Sequence, residues 1–504
     1  MNKNKIVKDT VFLTAIDLAL QGLSLLLNVF ITRRLGAAAT GTISLINTFF
    51  CFTAIISSAN IFLCSSRLIS EEIGKECGNP NKIFRFGILF SLPISIITAI
   101  TIFIFADLLG NSILHSKEMV IAIRILAFTL PINAAGSCIR GYFNAYRKVA
   151  VSAASGTFEF LVKSGLFALF AAFAVSNGKM DVFTAFSISI GAGQLAGFLF
   201  LAAAYIHFRK TEQCPASISF KCFVFCSIPI ILNSIVTSVL SSANDALVPL
   251  TLKQYGNSTQ EALSQFGIFE AIIIPALFFP SGILCSLSSI LIPEFSREKG
   301  AGDMKRTARI TNKVLRQTFS FSIFVAAVFL CFGEEIGFLM SGENFAGKIL
   351  KILSPAIPFI YLEIILEAIL KGMGKHSFSS LNYLVEYTIR ISVLLICVPL
   401  FGFYGIVASY LASNIICNTT RIIMIIKITH IKFNIADNLI IPIISAVFSM
   451  QIVTIIDHMI HLNFLNIIAE TAIFTAISAI LYLFIQKVIY RISDDKTEIN
   501  YNSI

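Results

Sequence analysis

QFGIFEAIIIPALFFPSGILCSLSSIL (265–291), IPEFSREKGAGDMKRTARITNK (292–313) and VLRQTFSFSIFVAAVFLCF (314–332) follow one another in this chain, and their reading decides the fold. The two flanking stretches are apolar. Each is long enough to cross a hydrocarbon core of roughly 30 Å as a helix, which takes about 20 residues. The middle stretch carries Arg297, Lys299, Lys305, Arg306, Arg309 and Lys313. Positive charge beside a span stays on the cytoplasmic side. This one loop therefore marks two spans and orients both.

The same pattern repeats along the whole chain. Hydrophobicity predicts about 14 spans, near 11–31, 41–63, 86–106, 119–139, 151–175, 183–206, 223–250, 265–291, 312–332, 350–370, 379–399, 403–426, 437–457 and 464–487. Bands rich in Lys and Arg alternate with poor ones. The rich bands are the N-terminus, Arg67 to Arg85, Arg140 to Lys148, Arg209 to Lys221, Arg297 to Lys313, Lys371 with Lys375, Arg421 to Lys432, and the tail with Lys487, Arg491 and Lys496. They hold roughly 27 cations, against about 6 in the opposite bands. Arg33-Arg34 is the one break in the pattern. Both termini are expected on the cytoplasmic side of a bacterial cytoplasmic membrane. The run after Lys3, Lys5 and Lys8 is of full spanning length with no clear cleavage site, so it reads as a permanent helix and not a signal peptide.

Composition excludes other classes. Of 504 residues, 56% are hydrophobic and 13% charged, where a soluble domain carries about 25% charge. With no Trp, an interfacial aromatic belt must use the 12 Tyr and some of the 47 Phe. The net charge of +10 belongs to loops facing anionic headgroups, so nucleic acid is not an expected partner. The 11 Cys are scattered without C-x-x-C spacing, which argues against a disulfide or zinc framework. No Walker A, H-E-x-x-H or G-x-S-x-G pattern occurs. His458 and His461 beside Asp457 read as exposed polar residues before they read as a metal site. The loops are too short to fold as soluble domains. A non-enzymatic membrane protein without cofactor or metal is expected.

The chain also reads as duplicated. Ile31-Thr32-Arg33-Arg34-Leu35-Gly36 closes span one, and Leu250-Thr251-Leu252-Lys253-Gln254-Tyr255-Gly256 closes span seven. Arg140-Gly141-Tyr142-Phe143 parallels Lys371-Gly372-Met373-Gly374-Lys375, and Glu159-x-x-x-Lys163 parallels Glu386-x-x-x-Arg390. Six spans per copy is an even number, so the copies are parallel repeats. The expected fold is an all-α polytopic membrane protein of two parallel six-helix bundles, 1–215 and 216–432, with an additional helix pair and tail at 433–504.

Those stretches carry a family resemblance. Together with Gly41, Ile228-Pro229-Ile230, Asp245, Phe279-Pro280 and Leu291-Ile292-Pro293, they make the chain resemble the polysaccharide-transporter and stage V sporulation protein B branch of the multidrug/oligosaccharidyl-lipid/polysaccharide exporters. That group is related to the lipid II flippases. The resemblance covers roughly residues 30 to 430, and it rests on order and spacing. It implies paired six-helix bundles and outward flipping of an undecaprenyl-diphosphate-linked saccharide by alternating access. The alternative on the same fold is a cation-coupled small-molecule exporter. A third reading, a non-transporting membrane polymerase or assembly partner, lacks the large external loop such an enzyme needs. Lipid II flippases carry arginines in the first span; here that span holds Asp17, Gln21 and Asn28.

Ionisable groups inside spans are the candidate site, because each is costly at the bilayer centre. Substrate candidates are Lys163, Arg390, Glu159, Glu386, Arg124, Asp17 and Gln21. Candidates for a coupling H+ or Na+ are Asp17, Glu270, Glu363 and Glu367. Glu159 with Lys163, and Glu386 with Arg390, are one helical turn apart and are expected to pair. Such pairs either release a cation to a diphosphate or serve only packing. Arg124 either faces a cavity or snorkels to the outer surface. Pro131, Pro229, Pro275, Pro280, Pro355 and Pro358 are expected to bend their helices. The partners implied are a lipid-linked saccharide and membrane lipids.

Overall fold

The computed structural model describes the chain except residues 1–2, 74–78, 111–116, 147, 176–177, 179, 209–218, 302–303, 432–433, 461–472, 474 and 487–504. Thirteen described segments are long and apolar enough to cross a membrane, and the shorter apolar helix Thr475–Gln486 follows them. Among the described residues there is no strand. With no water in the bilayer core, each segment must satisfy its own backbone, and helices do so.

The chain packs as two compact units, one of residues 26–249 and one of 1–25 with 250–504. The first unit holds the end of α1 (Lys3–Leu35), α2 (Ala37–Ser58), α3 (Ile61–Ile73), α4 (Pro80–Ile104), α5 (Ala106–Leu108), α6 (Lys117–Ala145), α7 (Val149–Leu169), α8 (Val182–Phe208) and most of α9 (Phe220–Tyr255). Ile46, Phe50, Ile123, Leu126, Phe167 and Phe186 form one core cluster. Ile61, Phe84, Tyr142, Phe143, Leu201 and Phe223 form another nearer the basic ends of the helices. Lipid tails are as apolar as Leu, so close packing through small residues holds such helices together. A Cβ on Gly141 of α6 would stand 2.9 Å from the Phe62 carbonyl oxygen of α3, so the glycine sets that approach.

The second unit holds the start of α1, the end of α9, α10 (Thr259–Ile268), α11 (Ile274–Phe278), α12 (Gly282–Ala301), α13 (Met304–Ser341), α14 (Asn344–Leu353), α15 (Ile357–Gly372), α16 (His376–Phe401), α17 (Phe403–Thr429), α18 (Ile441–Ile460) and α19 (Thr475–Gln486). A Cβ on Gly372 of α15 would lie 2.8 Å from the Ile292 carbonyl of α12. The additional helices α18 and α19 pack on α13. Val328 and Phe332 meet Met450 and Val453. The Tyr482 hydroxyl donates to the Ser320 carbonyl at 2.8 Å, and Gln486 Nε2 donates to Ser320 Oγ at 2.7 Å.

The duplication is visible inside each unit. Gly36 and Gly256 both take positive φ, 87° and 115°, at the turns that follow α1 and α9. Lys148 and Lys375 precede α7 and α16 with nearly the same dihedrals, φ −90°, ψ 51° and φ −94°, ψ 43°. The turn bonds Lys148 N to Phe143 O (2.9 Å) and Lys375 N to Leu370 O (2.8 Å) are equivalent. Counted from these turns, Glu159 and Glu386 fall at the same place, as do Lys163 and Arg390. Arg140 then corresponds to Glu367. The sequence parallel of Arg140-Gly141 with Lys371-Gly372 is therefore displaced by one helical turn.

Spans two and eight are not continuous α-helices. Ala59 and Asn60 both adopt left-handed backbone (φ 49° and 46°) and separate α2 from α3. The interruption is held by Asn60 Nδ2 donating to Ser234 Oγ at 2.5 Å. Span eight passes from α10 through a π turn, Phe269–Ile273, to α11 and then a 3-10 turn, Phe279–Ser281, before α12. Counted from Gly36 and Gly256, Ala59-Asn60 and Phe279-Pro280 occupy equivalent positions. Pro355 likewise lies in a 3-10 turn, Ser354–Ala356, between α14 and α15.

Candidate functional site

In the first unit, charge is built around α7. Gly193 and Gly197 of α8 form a G-x-x-x-G step, the spacing that lets helix backbones approach in a membrane. A Cβ on Gly193 would come within 2.8 Å of the Glu159 carbonyl oxygen and of Lys163 Cβ. This contact fixes the turn of α7 that carries both charges. The expected Glu159–Lys163 pair does not form. Glu159 instead accepts from the Arg140 guanidinium of α6. A neighbouring helix brings the guanidinium, whose Nη2 meets one Glu159 oxygen.

Lys163 is left without a carboxylate at ion-pair distance among the described residues. Its ammonium lies 5.4 Å from the Phe186 ring centroid, with Cys51 and Glu159 as electrostatic neighbours. Along α7 it stands about 20 Å from Ala150 and about 15 Å from Phe173, at 1.5 Å per residue, near the middle of that span. Farther along the same unit, Thr48 Oγ1 donates to Asp245 of α9 at 3.2 Å. Thr48, with Phe49, Phe52, Leu45, Leu109 and Ala246, lines a largely apolar recess there.

In the second unit, α15, α16 and α17 enclose an ionic cluster centred on Arg421. Its side chain is fully buried. It donates to Glu367 at 2.9 Å, Glu386 at 3.0 Å and Glu363 at 3.3 Å, and also to Asn418 Oδ1 at 3.0 Å. Here the expected i,i+4 pair does form: Arg390 Nη2 donates to Glu386 at 2.8 Å, and Arg390 Nε to Ser413 at 3.1 Å. The Arg390 guanidinium also lies 4.4 Å from the Tyr410 ring and 5.0 Å from the Tyr387 ring. Glu367 further accepts from the Ser379 hydroxyl and from Lys371, at 3.3 Å.

The sequence assigned Arg421 and Arg140 to basic loops. α6 runs past its hydropathy limit to Ala145, which takes in Arg140, whereas Arg421 already fell within the stretch 403–426 and was counted with the basic band that follows it; α17 ends only at Thr429. Both arginines therefore lie inside spans. Their readable signals were the Asn418 one turn before Arg421 and the glycine step of α8 opposite Glu159.

The chain's residues 6–299 match the model of the polysaccharide biosynthesis protein family. The chain belongs to that family. Residues 229–396 also match the MatE model. Stage V sporulation protein B of Bacillus subtilis (strain 168) is 21% identical over 454 residues, 87% of this chain and 86% of that protein. The solved lipid II flippase MurJ, in its inward closed conformation, matches with a TM-score of 0.74 at 14% identity, covering 95% of this chain and 99% of that one. The Vibrio cholerae MATE transporter VcmN in its bent form matches with a TM-score of 0.59 at 14% identity, covering 86% and 98%. The chain is thus a multi-pass member of the polysaccharide biosynthesis family, and its fold is similar to that of a solved lipid II flippase and of solved MATE transporters.

The remaining candidates of this family member are dispersed. Arg124 pairs with Asp107 of α5 at 2.7 Å and stacks 5.4 Å from the exposed Phe103 ring. Its side chain is 40% exposed. Gln21 is exposed on α1, where Gly282 of α12 approaches it. Glu270 sits half-buried in the π turn of span eight. The side chains of Asp17, Asp457 and His458, and all of His461, lie outside the described residues. Among the described residues no cluster of three metal-ligating side chains occurs.

Proposed function

We propose that this chain moves an undecaprenyl-diphosphate-linked saccharide from the inner to the outer leaflet by alternating access, with Lys163 meeting the phosphate. One observation carries the reading: an ammonium near mid-span with no carboxylate at ion-pair distance among the described residues. An intramembrane cation with no carboxylate at ion-pair distance is costly, and a lipid-linked phosphate is an anion that must pass the same depth. Its apolar tail stays in lipid; its phosphates and sugars need a charged, hydrogen-bonding path. The names of the relatives agree, since one solved neighbour is a lipid II flippase. Both termini are proposed on the cytoplasmic side, from the alternation of basic bands.

The test is leaflet-resolved movement of a fluorescent lipid-diphosphate saccharide in proteoliposomes, comparing wild type with Lys163→Met and Lys163→Arg. A charge-assisted hydrogen bond contributes about 1.5–3 kcal/mol, so Lys163→Met should slow movement about 10- to 100-fold. Lys163→Arg should retain a large part of the rate. Equal rates for all three proteins would remove Lys163 from the mechanism.

A further inference from the structure

The cluster around Arg421 is unbalanced. Glu363, Glu367 and Glu386 bring three carboxylates, and Arg390 and Arg421 bring two guanidiniums. Lys371 adds a charge only at the exposed end of α15, where its side chain is 45% exposed. One negative charge of the cluster therefore lacks a guanidinium counterpart within it.

The geometry also says which carboxylate carries the excess. Glu386 is 2% exposed and holds both arginines. Glu367 has Arg421, Lys371 and Ser379. Glu363 has Arg421 alone at ion-pair distance among the described residues, at 3.3 Å, the longest of the three contacts, and it is 24% exposed. It is the most weakly held member and the one open to its surroundings. The charged and titratable groups facing it are Glu367 on α15, Glu386, Arg390 and Tyr383 on α16, and Arg421 and Cys417 on α17. Tyr361, two residues earlier, points to the opposite side of α15, where it stacks on Phe321 and donates to the Leu277 carbonyl at 2.6 Å.

We propose that this cluster is a proton-binding site, that Glu363 is the carboxylate that takes the proton, and that the site does not take a metal cation. Binding adds one H+ to one Glu363 oxygen and leaves a neutral carboxylic acid. Glu363 then gives up its share of the Arg421 fork, which rests on Glu367 and Glu386. A contact between α15 and α17 is thereby released by each proton. A sodium ion fits poorly. It would need several oxygens at once, and each carboxylate here already has a guanidinium nitrogen within 3.3 Å, which repels a metal cation. A proton needs only one oxygen.

The experiment uses the full chain in lipid nanodiscs, with no substrate. Infrared difference spectra are recorded between alkaline and acidic buffers, in sodium and in choline. The expected result is a protonated-carboxyl band that grows on acidification, is the same in both salts, is lost in Glu363→Gln, and persists in Glu270→Gln. Glu363→Asp, which keeps a carboxylate, should shift the band, and it serves if Glu363→Gln does not fold. A band unchanged by both Glu363 substitutions would overturn the assignment, as would no band in the folded wild type. A sodium-dependent spectrum abolished by Glu363→Gln would overturn the choice of ion.

Discussion

Replacing Arg421 with Met removes the group on which three carboxylates converge, and the structure says how the loss is shared. Glu386 keeps Arg390 at 2.8 Å, and Glu367 keeps Lys371 at 3.3 Å together with the Ser379 hydroxyl. Glu363 keeps no cation at ion-pair distance among the described residues, with Arg390 only as a more distant electrostatic neighbour. Removing one partner of a buried pair costs about 3–5 kcal/mol. Glu363 is 24% exposed, so solvent screening reduces its share, and Arg421→Met should cost about 3 kcal/mol overall. Adding Glu363→Gln removes the stranded charge. The double variant should recover part of the loss, with a coupling energy of roughly 1–3 kcal/mol. The assay is reversible unfolding in mixed micelles at alkaline pH, where the carboxylates carry their charges, for wild type, both single variants and the double. An Arg421→Met protein within about 0.5 kcal/mol of wild type would refute the reasoning. So would additivity of the two substitutions to within the same margin.

Other substitutions test the local geometry. Gly193→Val should destabilise the first unit by about 1–3 kcal/mol through overpacking, because its Cβ would press on the Glu159 carbonyl and on Lys163; the same unfolding assay reads it. Gly402 combines φ 59°, ψ −137° with a Cβ position 2.8 Å from the Tyr255 ring, so Gly402→Ala should cost about 1–3 kcal/mol. Asn60→Ala removes the bond to Ser234 and the residue type that tolerates left-handed backbone; a loss of about 1–2 kcal/mol is expected, with faster hydrogen exchange confined to residues near the α2–α3 interruption.

The spans and the repeat were legible in the sequence, because hydrophobicity and glycine turns are local signals; the intrahelical places of Arg140 and Arg421 were not. Gly36 and Gly256 marked equivalent turns, and Glu159 and Glu386 fell in the same register. Which charges meet was legible only where the partner lies on the same helix, as for Glu386 and Arg390. Glu159 is held by Arg140 from a neighbouring helix, 19 residues away in sequence. Arg421 lies 54 residues from Glu367 and 35 from Glu386, so no local spacing announced the cluster. An arginine two turns from a helix end, beside a basic loop, looks like interfacial charge until the end of the helix is known. The interruption at Phe279-Pro280 had a proline to mark it. Its counterpart at Ala59-Asn60 had neither Gly nor Pro, and it is stabilised by a side-chain bond to a residue 174 positions away.

The central claim is that a lipid-linked saccharide is the cargo. The most direct measurement reconstitutes the wild-type chain into two sets of vesicles, one carrying a fluorescent undecaprenyl-diphosphate saccharide and one a fluorescent cationic dye. Leaflet exchange of the lipid is followed with a membrane-impermeant quencher, and dye movement by release. The account predicts exchange of the lipid well above that of empty vesicles, and dye movement equal to theirs. Movement of the dye without exchange of the lipid would contradict it and would make the chain a small-molecule exporter on the same fold.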